Sequence, residues 1–297
     1  MDVELIVMLN TYCNYKCVFC NNPGMPVKER LPLDRLKSLC EVASKMDISG
    51  YGEVMTHPEF PQIIQYLTDK KVAIRLTTNG FLLNADNRKL IAESTIKRMV
   101  ISVNSLNRET YKKLMGVDGL PTVLANIEEL VKVFKGELIF SFVMNAYNFN
   151  EVLDMINFGM KYEREVCCAG LTPTIKYEKD LIIQDTPENR KKIEMYQAYA
   201  KKHNQTKFWI FTFDSQPGNP KRLADLPQRI KTCKWIDTFA CIQINGDVLP
   251  CCWSKLVLGN ILEESFDKIW TGPRYTEFRK MVRAGDVKHC INCLKDG

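Results

Sequence analysis

The 297-residue sequence has little histidine: only His57, His203 and His289 occur. So few histidines disfavour His-rich metal sites and leave little room for a Ser-His-Asp catalytic triad. No run approaches the roughly 18 apolar residues that a membrane-spanning helix needs. Internal repeats and low-complexity tracts are absent as well. A composition of 45% hydrophobic and 26% charged residues excludes a disordered, collagen-like or coiled-coil chain, so a globular protein is expected.

The charge imbalance is also small, with a net charge of +6 from 41 Lys and Arg against 35 Asp and Glu. Such an excess suits an acidic partner, but scattered surface lysines explain it equally well, so nucleic-acid binding is not predicted. The opening MDVELIVMLN is too short, and too acidic at its start, for a signal peptide. We therefore expect a cytoplasmic protein without membrane attachment.

Cysteine, in contrast, is abundant, with 12 residues. A chain of this length without an export signal does not need disulfide staples, and clustered cysteines in a reducing cytoplasm more often bind metal. Metal binding by these cysteines is the first functional expectation.

Runs rich in β-formers alternate with helical patterns over the first 203 residues. The predicted strands are 3–8, 72–78, 98–103, 137–144 and 171–177, and the predicted helices are 108–115, 121–134, 150–162 and 187–203. Apolar side chains also recur at helical spacing at Leu33, Leu36, Cys40, Ala43 and Met46. About six such βα units are too few for a full eight-unit barrel, so we predict an α/β fold with a partial (β/α)6 barrel.

The alternation stops at the turn-rich segment 215–220. Beyond it, Asn245-Gly246 separates two β-rich runs, which is typical of a β-hairpin. We predict two domains, a core over residues 1–210 and a small cysteine-rich domain of a β-hairpin plus a helix over residues 211–297.

The first cysteine group is Cys13, Cys17 and Cys20, in a loop directly after the first predicted strand. Three thiolates within eight residues can hold one face of a 4Fe–4S cube and leave the fourth iron without a protein ligand. The alternative is a zinc loop, which needs a fourth ligand, and none is close in the sequence.

This loop resembles the signature of the radical S-adenosylmethionine (SAM) superfamily. The resemblance implies that the open iron chelates the amine and carboxylate of SAM. It also implies that an electron from the cluster cleaves SAM to a 5′-deoxyadenosyl radical, which takes hydrogen from a substrate C–H bond. Phe19 matches the residue that lies near adenine in the family.

Three further segments support the resemblance. Residues 50–53, Gly-Tyr-Gly-Glu, are similar to the family's GGE motif, although Tyr51 interrupts the glycines and Val54 replaces the usual proline. Residues 77–80 resemble the end of strand three and residues 102–104 the end of strand four. Taken alone, each is as well explained by an ordinary turn. The resemblance implies SAM contacts at Gly52, Glu53, Asn79, Ser102 and Asn104.

The second cysteine group is Cys233, Cys251, Cys290 and Cys293. Four thiolates close a cluster site completely, and a four-cysteine zinc ribbon fits the spacing equally well. The tail around them, with Gly-x4-Cys on a hairpin and a final Cys-x2-Cys, resembles the SPASM/twitch extension of radical SAM enzymes. It is most similar to 2-deoxy-scyllo-inosamine dehydrogenases and related aminoglycoside-tailoring enzymes. The resemblance implies a second, auxiliary 4Fe–4S cluster.

Five cysteines remain outside the two groups: Cys40, Cys167, Cys168, Cys241 and Cys252. Cys40 is read as helix packing, and Cys167-Cys168 as a buried pair before a strand. Cys252 adjoins Cys251 and is our candidate for a thiol that returns a hydrogen atom to a substrate radical. The plainer alternatives are that Cys252 fills space or exchanges roles with Cys251.

The resemblance thus implies dehydrogenation or epimerisation of an amino sugar or aminocyclitol, with electrons from a flavodoxin- or ferredoxin-type reductant. An alternative is epimerisation or crosslinking of a ribosomal peptide. The sequence starts at the first predicted strand, without a peptide-recognition domain before it, which favours the small molecule. A zinc-stabilised binding module is the third alternative, and it leaves the N-terminal loop unexplained.

Overall fold

The computed structural model describes residues 3–20, 29–171, 178–205, 220–290 and 293. The strands of this part of the chain are β1 Val3–Val7, β2 Ala43–Ile48, β3 Ala73–Thr78, β4 Ile96–Ser102, β5 Glu137–Val143, β6 Glu165–Ala169, β7 Phe239–Ile242, β8 Asp247–Leu249 and β9 Gly259–Asn260. The helices are α1 Leu33–Leu39, α2 Phe60–Asp69, α3 Ala85–Glu93, α4 Arg108–Met115, α5 Leu120–Val133, α6 Val152–Lys161, α7 Pro187–Lys202, α8 Pro220–Lys231, α9 Trp235–Thr238, α10 Phe266–Thr271 and α11 Pro273–Arg283.

The chain divides into two compact units. The first unit contains the described parts of residues 1–12, 26–75 and 214–297. Its strand order is β3-β2-β1-β7-β8-β9, in which β1 pairs parallel with both β2 and β7, and β7-β8-β9 are antiparallel. Side chains of β1 alternate between buried and half-buried, as expected for a strand with two different faces.

The second unit contains the described parts of residues 13–25 and 76–213. Its strands follow the order β6-β5-β4-β3, and the β4–β5 and β5–β6 pairs are parallel. The helices between these strands are amphipathic: α5, for example, buries Val123, Ile127 and Leu130 at helical spacing. Parallel strands connected by helices are the arrangement that the alternating sequence pattern predicted.

Two predicted elements are wrong. The helical spacing from Leu33 to Met46 does not form one helix, because α1 ends at Leu39 and residues 43–48 form β2. Ala43, Met46 and Ile48 are buried as strand residues, so a spacing of three was misread as helical. Cys167 and Cys168 do not precede a strand but lie inside β6. The predicted strand at 171–177 falls almost wholly on residues 172–177, outside the described ones.

The other strands and helices predicted for the core begin and end within about two residues of the observed ones, as is usual for element ends. The hairpin is also confirmed: β7 and β8 are antiparallel, and Gly246 adopts a positive φ of 85° in the turn between them. The predicted domain boundary at 210/211 stays a prediction, since residues 206–219 lie outside the described part. Among the described residues, no helix is long and apolar enough to cross a membrane.

Candidate metal centres

Helix α4 holds the first cysteine loop in place. The backbone N–H of Lys16 donates to Met115 O at 3.2 Å, and that of Val18 donates to Leu114 O at 2.9 Å. Gly116 ends the helix in the left-handed conformation, with φ 70°. A Cβ on Gly116 would lie 2.8 Å from Lys16 O, so only glycine allows the loop to approach the helix end this closely.

Side chains fix the same loop at two further points. The buried hydroxyls of Tyr15 and Tyr111 are 3.1 Å apart, within hydrogen-bond distance. Asn79 Nδ2 donates to Asn14 Oδ1 at 2.8 Å. The loop that carries the three cysteines is thus attached to the rest of its unit by side chains as well as by its backbone.

Cys13, Cys17 and Cys20 are half-buried and carry no disulfide. Burial raises the pKa of the Cys17 thiol far above its usual range, and the charges of Cys20 and Cys13 raise it further, so both of these sulphurs lie within electrostatic reach of Cys17. Such a set of crowded thiols is stable as thiolates only beside positive charge, which a metal centre supplies. The donor set therefore fits three corners of a 4Fe–4S cluster. No group of three or more His, Cys, Asp or Glu side chains in the described part is arranged around a single metal ion.

The segment with Gly52 and Glu53 lies against residues 10–12, at the start of the loop that follows β1. Glu53 N donates to Tyr12 O at 2.8 Å, and Asn10 Nδ2 donates to Glu53 O at 3.3 Å. A Cβ on Gly52 would lie 2.3 Å from Asn10 O, so the second glycine of the motif is a steric requirement. Glu53 is buried, and its Oε1 accepts from Met55 N at 3.3 Å. A buried carboxylate of this kind suits an ammonium group.

The other predicted SAM residues lie at strand ends in the second unit. Asn79 follows β3, and its Oδ1 accepts from Phe81 N at 3.0 Å. Ser102 is the last residue of β4 and is half-buried, as is Phe19 in the cysteine loop. The contacts of these residues with SAM stay predictions.

Asn104 is buried and its amide is already engaged within the protein. Its Oδ1 accepts from Val143 N at 2.8 Å, and its Nδ2 donates to the thioether sulphur of Met115 at 3.2 Å. We therefore infer that Asn104 holds the ends of β4 and β5 together. The sequence did not indicate this role.

The second cysteine group comes from three segments of the first unit, around Cys233, Cys251 and residues 290–293. Burial raises the pKa of Cys251 to about 11, and the charges of Cys293 and Cys233 add to this. Burial raises the pKa of Cys290 to about 12, with contributions from Cys251, Cys293 and Cys233. Cys251 and Cys290 therefore each lie within electrostatic reach of the other three thiols, as expected for ligands of one cluster.

Helix α11 is tied to the strand that leads to this group. Tyr275 is fully buried, and its hydroxyl donates to Phe239 O at 3.2 Å. Arg279 Nε donates to Ile236 O at 2.9 Å, and its guanidinium lies 4.4 Å from the centre of the Trp270 ring. Cys290 follows α11 in the chain, so the contacts that hold α11 also help to position Cys290.

Cys252 is exposed, whereas Cys241 is buried. Burial of its sulphur raises the pKa of Cys252 to about 12, and the charges of Cys251 and Asp47 add to this. The charges of Cys252, Cys251 and Asp47 likewise add to the burial that raises the pKa of Cys241 to about 12. Cys252 is therefore an exposed residue, with its sulphur turned toward the protein, beside the second group.

Cys40 and Asn145 have local structural roles. Cys40 is the C-terminal cap of α1, and its thiol donates to Leu36 O at 3.5 Å. Asn145 is fully buried in a turn, where its Oδ1 accepts from Tyr147 N and its Nδ2 donates to Val143 O.

Comparison with known families decides the assignment. Residues 7–159 match the radical SAM superfamily. The chain belongs to this superfamily. Residues 233–294 match the SPASM iron–sulfur cluster-binding domain, which contains the whole second cysteine group. As a radical SAM enzyme with a SPASM domain, the protein uses SAM, a 4Fe–4S cluster and an auxiliary cluster. This membership displaces the zinc-stabilised binding module that the cysteines alone left open.

Curated relatives are named GTP 3′,8-cyclases. The probable enzyme of Thermococcus kodakarensis is 32% identical over 164 residues, which are 53% of either chain. The enzyme of Helicobacter pylori is 30% identical over 165 residues, 52% of this chain and 50% of its own. The chain thus aligns with about half the length of the curated relatives that it matches.

Solved structures of radical SAM enzymes share the fold. Streptococcus suis SuiB bound to S-adenosylmethionine matches with a TM-score of 0.70 and 19% identity, over 95% of this chain and 68% of that one. BtrN in complex with AdoMet and 2-DOIA matches with a TM-score of 0.52 and 16% identity, over 99% and 92%. These matches confirm the α/β fold with a partial barrel and a small C-terminal domain.

Sequence reasoning missed the residues that position the first loop, above all Met115 and the Tyr15–Tyr111 pair. No local signal marks them, because each acts on a partner distant in the sequence. Gly116 directly after a predicted helix was a detectable signal for the helix end, but it did not indicate that the cysteine loop lies there.

Proposed function

We propose that this radical SAM enzyme inverts a carbon centre of an amino sugar or aminocyclitol, with Cys252 as the hydrogen donor. The observation that carries the proposal is the position of Cys252, an exposed cysteine next to Cys251 and within electrostatic reach of the second cysteine group. A residue at the surface of a site is open to a substrate, whereas the buried Cys241 is not.

The bound clusters and SAM supply an electron and a radical that removes a hydrogen atom from the substrate. Cys252 then gives the hydrogen atom of its S–H bond to the opposite face of that carbon, so one S–H bond breaks and one C–H bond forms. The sulphur radical left on Cys252 returns to the thiol by taking one electron from a flavodoxin- or ferredoxin-type reductant and one proton from water.

Dehydrogenation is the competing outcome. In that case the substrate loses a hydrogen atom, a proton and an electron to become a ketone, and an auxiliary cluster held by Cys233, Cys251, Cys290 and Cys293 would supply the electron acceptor. Cys252 then has no part in the reaction. The two outcomes differ in whether hydrogen from the solvent enters the product, because thiol hydrogens exchange with water.

The deciding experiment is therefore turnover of the anaerobically reconstituted enzyme in D2O. Amino sugars and 2-deoxystreptamine-containing aminoglycosides serve as substrates, and product is analysed by mass spectrometry and NMR. Inversion through Cys252 places one deuterium on the inverted carbon. A ketone without deuterium would instead establish dehydrogenation.

Cys252→Ala tests the donor directly, with Cys40→Ala as the matched control. The Cys252 variant is expected to keep producing 5′-deoxyadenosine but to give no inverted, deuterated product. Cys40 lies at a helix end outside both cysteine groups, so its variant is expected to behave as the wild type. An unchanged epimer yield from the Cys252 variant would exclude the donor role.

GTP cyclisation is the second candidate, favoured by the identity of 32% to a probable GTP 3′,8-cyclase. The aligned 164 residues are about as long as the radical SAM match itself, 7–159, so the alignment carries little information about substrate. Incubation with GTP and SAM under reducing conditions tests this candidate, since consumption of GTP would favour it over the aminocyclitol.

A further inference from the structure

A charged network occupies the half-buried face of the first strands. Glu4 Oε1 lies 2.7 Å from Arg75 Nη1, and Glu4 Oε2 lies 3.0 Å from Lys45 Nζ. Both oxygens of Glu4 are thereby paired with cations. The network also reaches Asp47, the next side chain beyond Lys45 on the same face of β2.

Asp47 is the incompletely paired member of this network. Its Oδ2 lies 3.6 Å from Arg75 Nε, which is an ion pair too long for a hydrogen bond. The side chain of Ser49 hydrogen-bonds the Asp47 carboxylate. Oδ1 of Asp47, however, is buried and has no hydrogen-bond partner among the described residues, and only 16% of the side chain is exposed. An ionised carboxylate can accept about four hydrogen bonds, so this one has unused acceptor capacity in a place shielded from water.

The strand register places this carboxylate on the same face of the sheet as Cys241. Ile6 pairs with Asp47 on β2 and with Cys241 on β7, so these three side chains share one face of the sheet. The charge of Asp47 adds to the pKa of both Cys241 and Cys252, so the carboxylate is within electrostatic reach of each sulphur. A substrate group bound to Asp47 would therefore lie on the face of the sheet that also carries Cys241.

We propose that Asp47 binds the ammonium group of an amino sugar or aminocyclitol and so orients the ring toward Cys252. This inference rests on the proposed function and names the substrate group that the site selects. A desolvated carboxylate with a free oxygen prefers a charged N–H donor over a neutral hydroxyl, because the charge-assisted hydrogen bond is the stronger one.

The test compares two ring probes on the holoenzyme with SAM, by anaerobic calorimetry. 2-Deoxystreptamine carries amines, and scyllo-inositol is a neutral ring of similar size. Asp47→Asn is expected to weaken binding of 2-deoxystreptamine by about tenfold or more while changing inositol binding little. Glu4→Gln is the matched control, since both Glu4 oxygens are already paired inside the protein.

Each outcome decides the proposal. Equal binding of 2-deoxystreptamine by the wild type and Asp47→Asn overturns the role of Asp47 and leaves the proposed function standing. Equal weakening of both probes, or the same loss in Glu4→Gln, reduces Asp47 to a structural residue. If the wild type binds neither probe, the proposed substrate class itself fails. Asp47→Ser provides a second variant should Asp47→Asn not take up its clusters, and the iron content of each variant is measured first.

Discussion

The thioether sulphur of Met115 lies 3.7 Å from the thiol sulphur of Cys17 and accepts the amide N–H of Asn104 at 3.2 Å. One side chain at the end of α4 thus contacts both the cysteine loop and the end of β4. Since Met115 and Cys17 are far apart in the sequence, this contact links the cluster loop to the strand end only in the folded chain.

Met115→Leu should destabilise the protein more than an ordinary core exchange. Leucine fills a similar volume, which by itself costs less than about 1.5 kcal/mol, but it leaves the buried Nδ2 of Asn104 without this acceptor, at a further cost of about 1–3 kcal/mol. Chemical denaturation of the holoprotein measures the free energy of unfolding. The control is Met46→Leu, at a fully buried position of β2. Equal losses in the two variants would show that the sulphur contact contributes nothing.

Gly52→Ala should abolish tight SAM binding. The new Cβ would lie 2.3 Å from Asn10 O and 2.7 Å from Tyr12 O, so the segment must move and carry Glu53 with it. We expect affinity for SAM to fall at least about tenfold in equilibrium dialysis. Gly136→Ala is the matched control, because its Cβ is similarly crowded, 2.4 Å from the ring of Phe134, at a place remote from the SAM motifs in the sequence. A parallel loss in that variant would mean that general destabilisation, not the motif, is responsible.

The two cysteine groups should lose iron independently. Iron and sulfide analysis of the reconstituted wild type should give about eight irons per chain. Cys17→Ser and Cys290→Ser should each retain about four. After reduction, the EPR signal of the Cys290 variant should change when SAM is added. The EPR signal of the Cys17 variant should not change with SAM. Cys40→Ser should keep the full iron content, and a loss there would contradict the assignment of ligands.

Asp47→Asn should stabilise the protein increasingly as the pH rises. Burial raises the pKa of the Asp47 carboxyl, so its contribution to stability is fully present below the unfolded pKa of about 3.9 and is lost as the pH rises through the folded pKa. The asparagine variant carries no such charge. Its advantage in the free energy of unfolding should therefore grow as the pH rises from about 4 through the folded pKa of Asp47. Other charged or titratable groups that act on this carboxyl or share its neighbourhood are Arg75, Glu4, Lys45, Cys241 and Cys252.

Denaturation of the wild type and the asparagine variant in parallel over this range checks the prediction. Glu4→Gln is again the control, and it is expected to lose stability at neutral pH, because it removes two ion pairs. A constant difference between wild type and Asp47→Asn at all pH values would contradict the prediction. A stabilising loss of Asp47 would be consistent with a residue retained for binding at the expense of stability.

Local sequence determined the elements whose signals are short-range. The span of α4 and the β7–β8 hairpin were predicted correctly because caps, turns and apolar spacing act within a few residues. The spacing of Cys13, Cys17 and Cys20 likewise predicts the kind of metal centre, since ligands on one loop need no distant partner.

Sequence patterns predict the wrong element where helical and strand spacings coincide, or where the stabilising contacts are distant in the sequence. Ala43 and Met46 continue the helical spacing of α1, but their burial in β2 is decided by pairing with β1. β6 was missed because Cys167 and Cys168 carry no strong strand signal, and its pairing with β5 outweighs local propensity.

The sequence by itself thus determined the superfamily resemblance, the two cysteine groups and the alternation of strands and helices in the core, because these depend on spacing along the chain. Only the tertiary structure decided that Met115 contacts Cys17, that Asn104 is engaged within the protein, and that Asp47 and Cys241 share a face of the sheet. These relationships depend on strand register and on helix ends packed against distant loops, and no local pattern encodes them. The physical reason is that a buried hydrogen bond or ion pair is selected by the geometry of the whole fold.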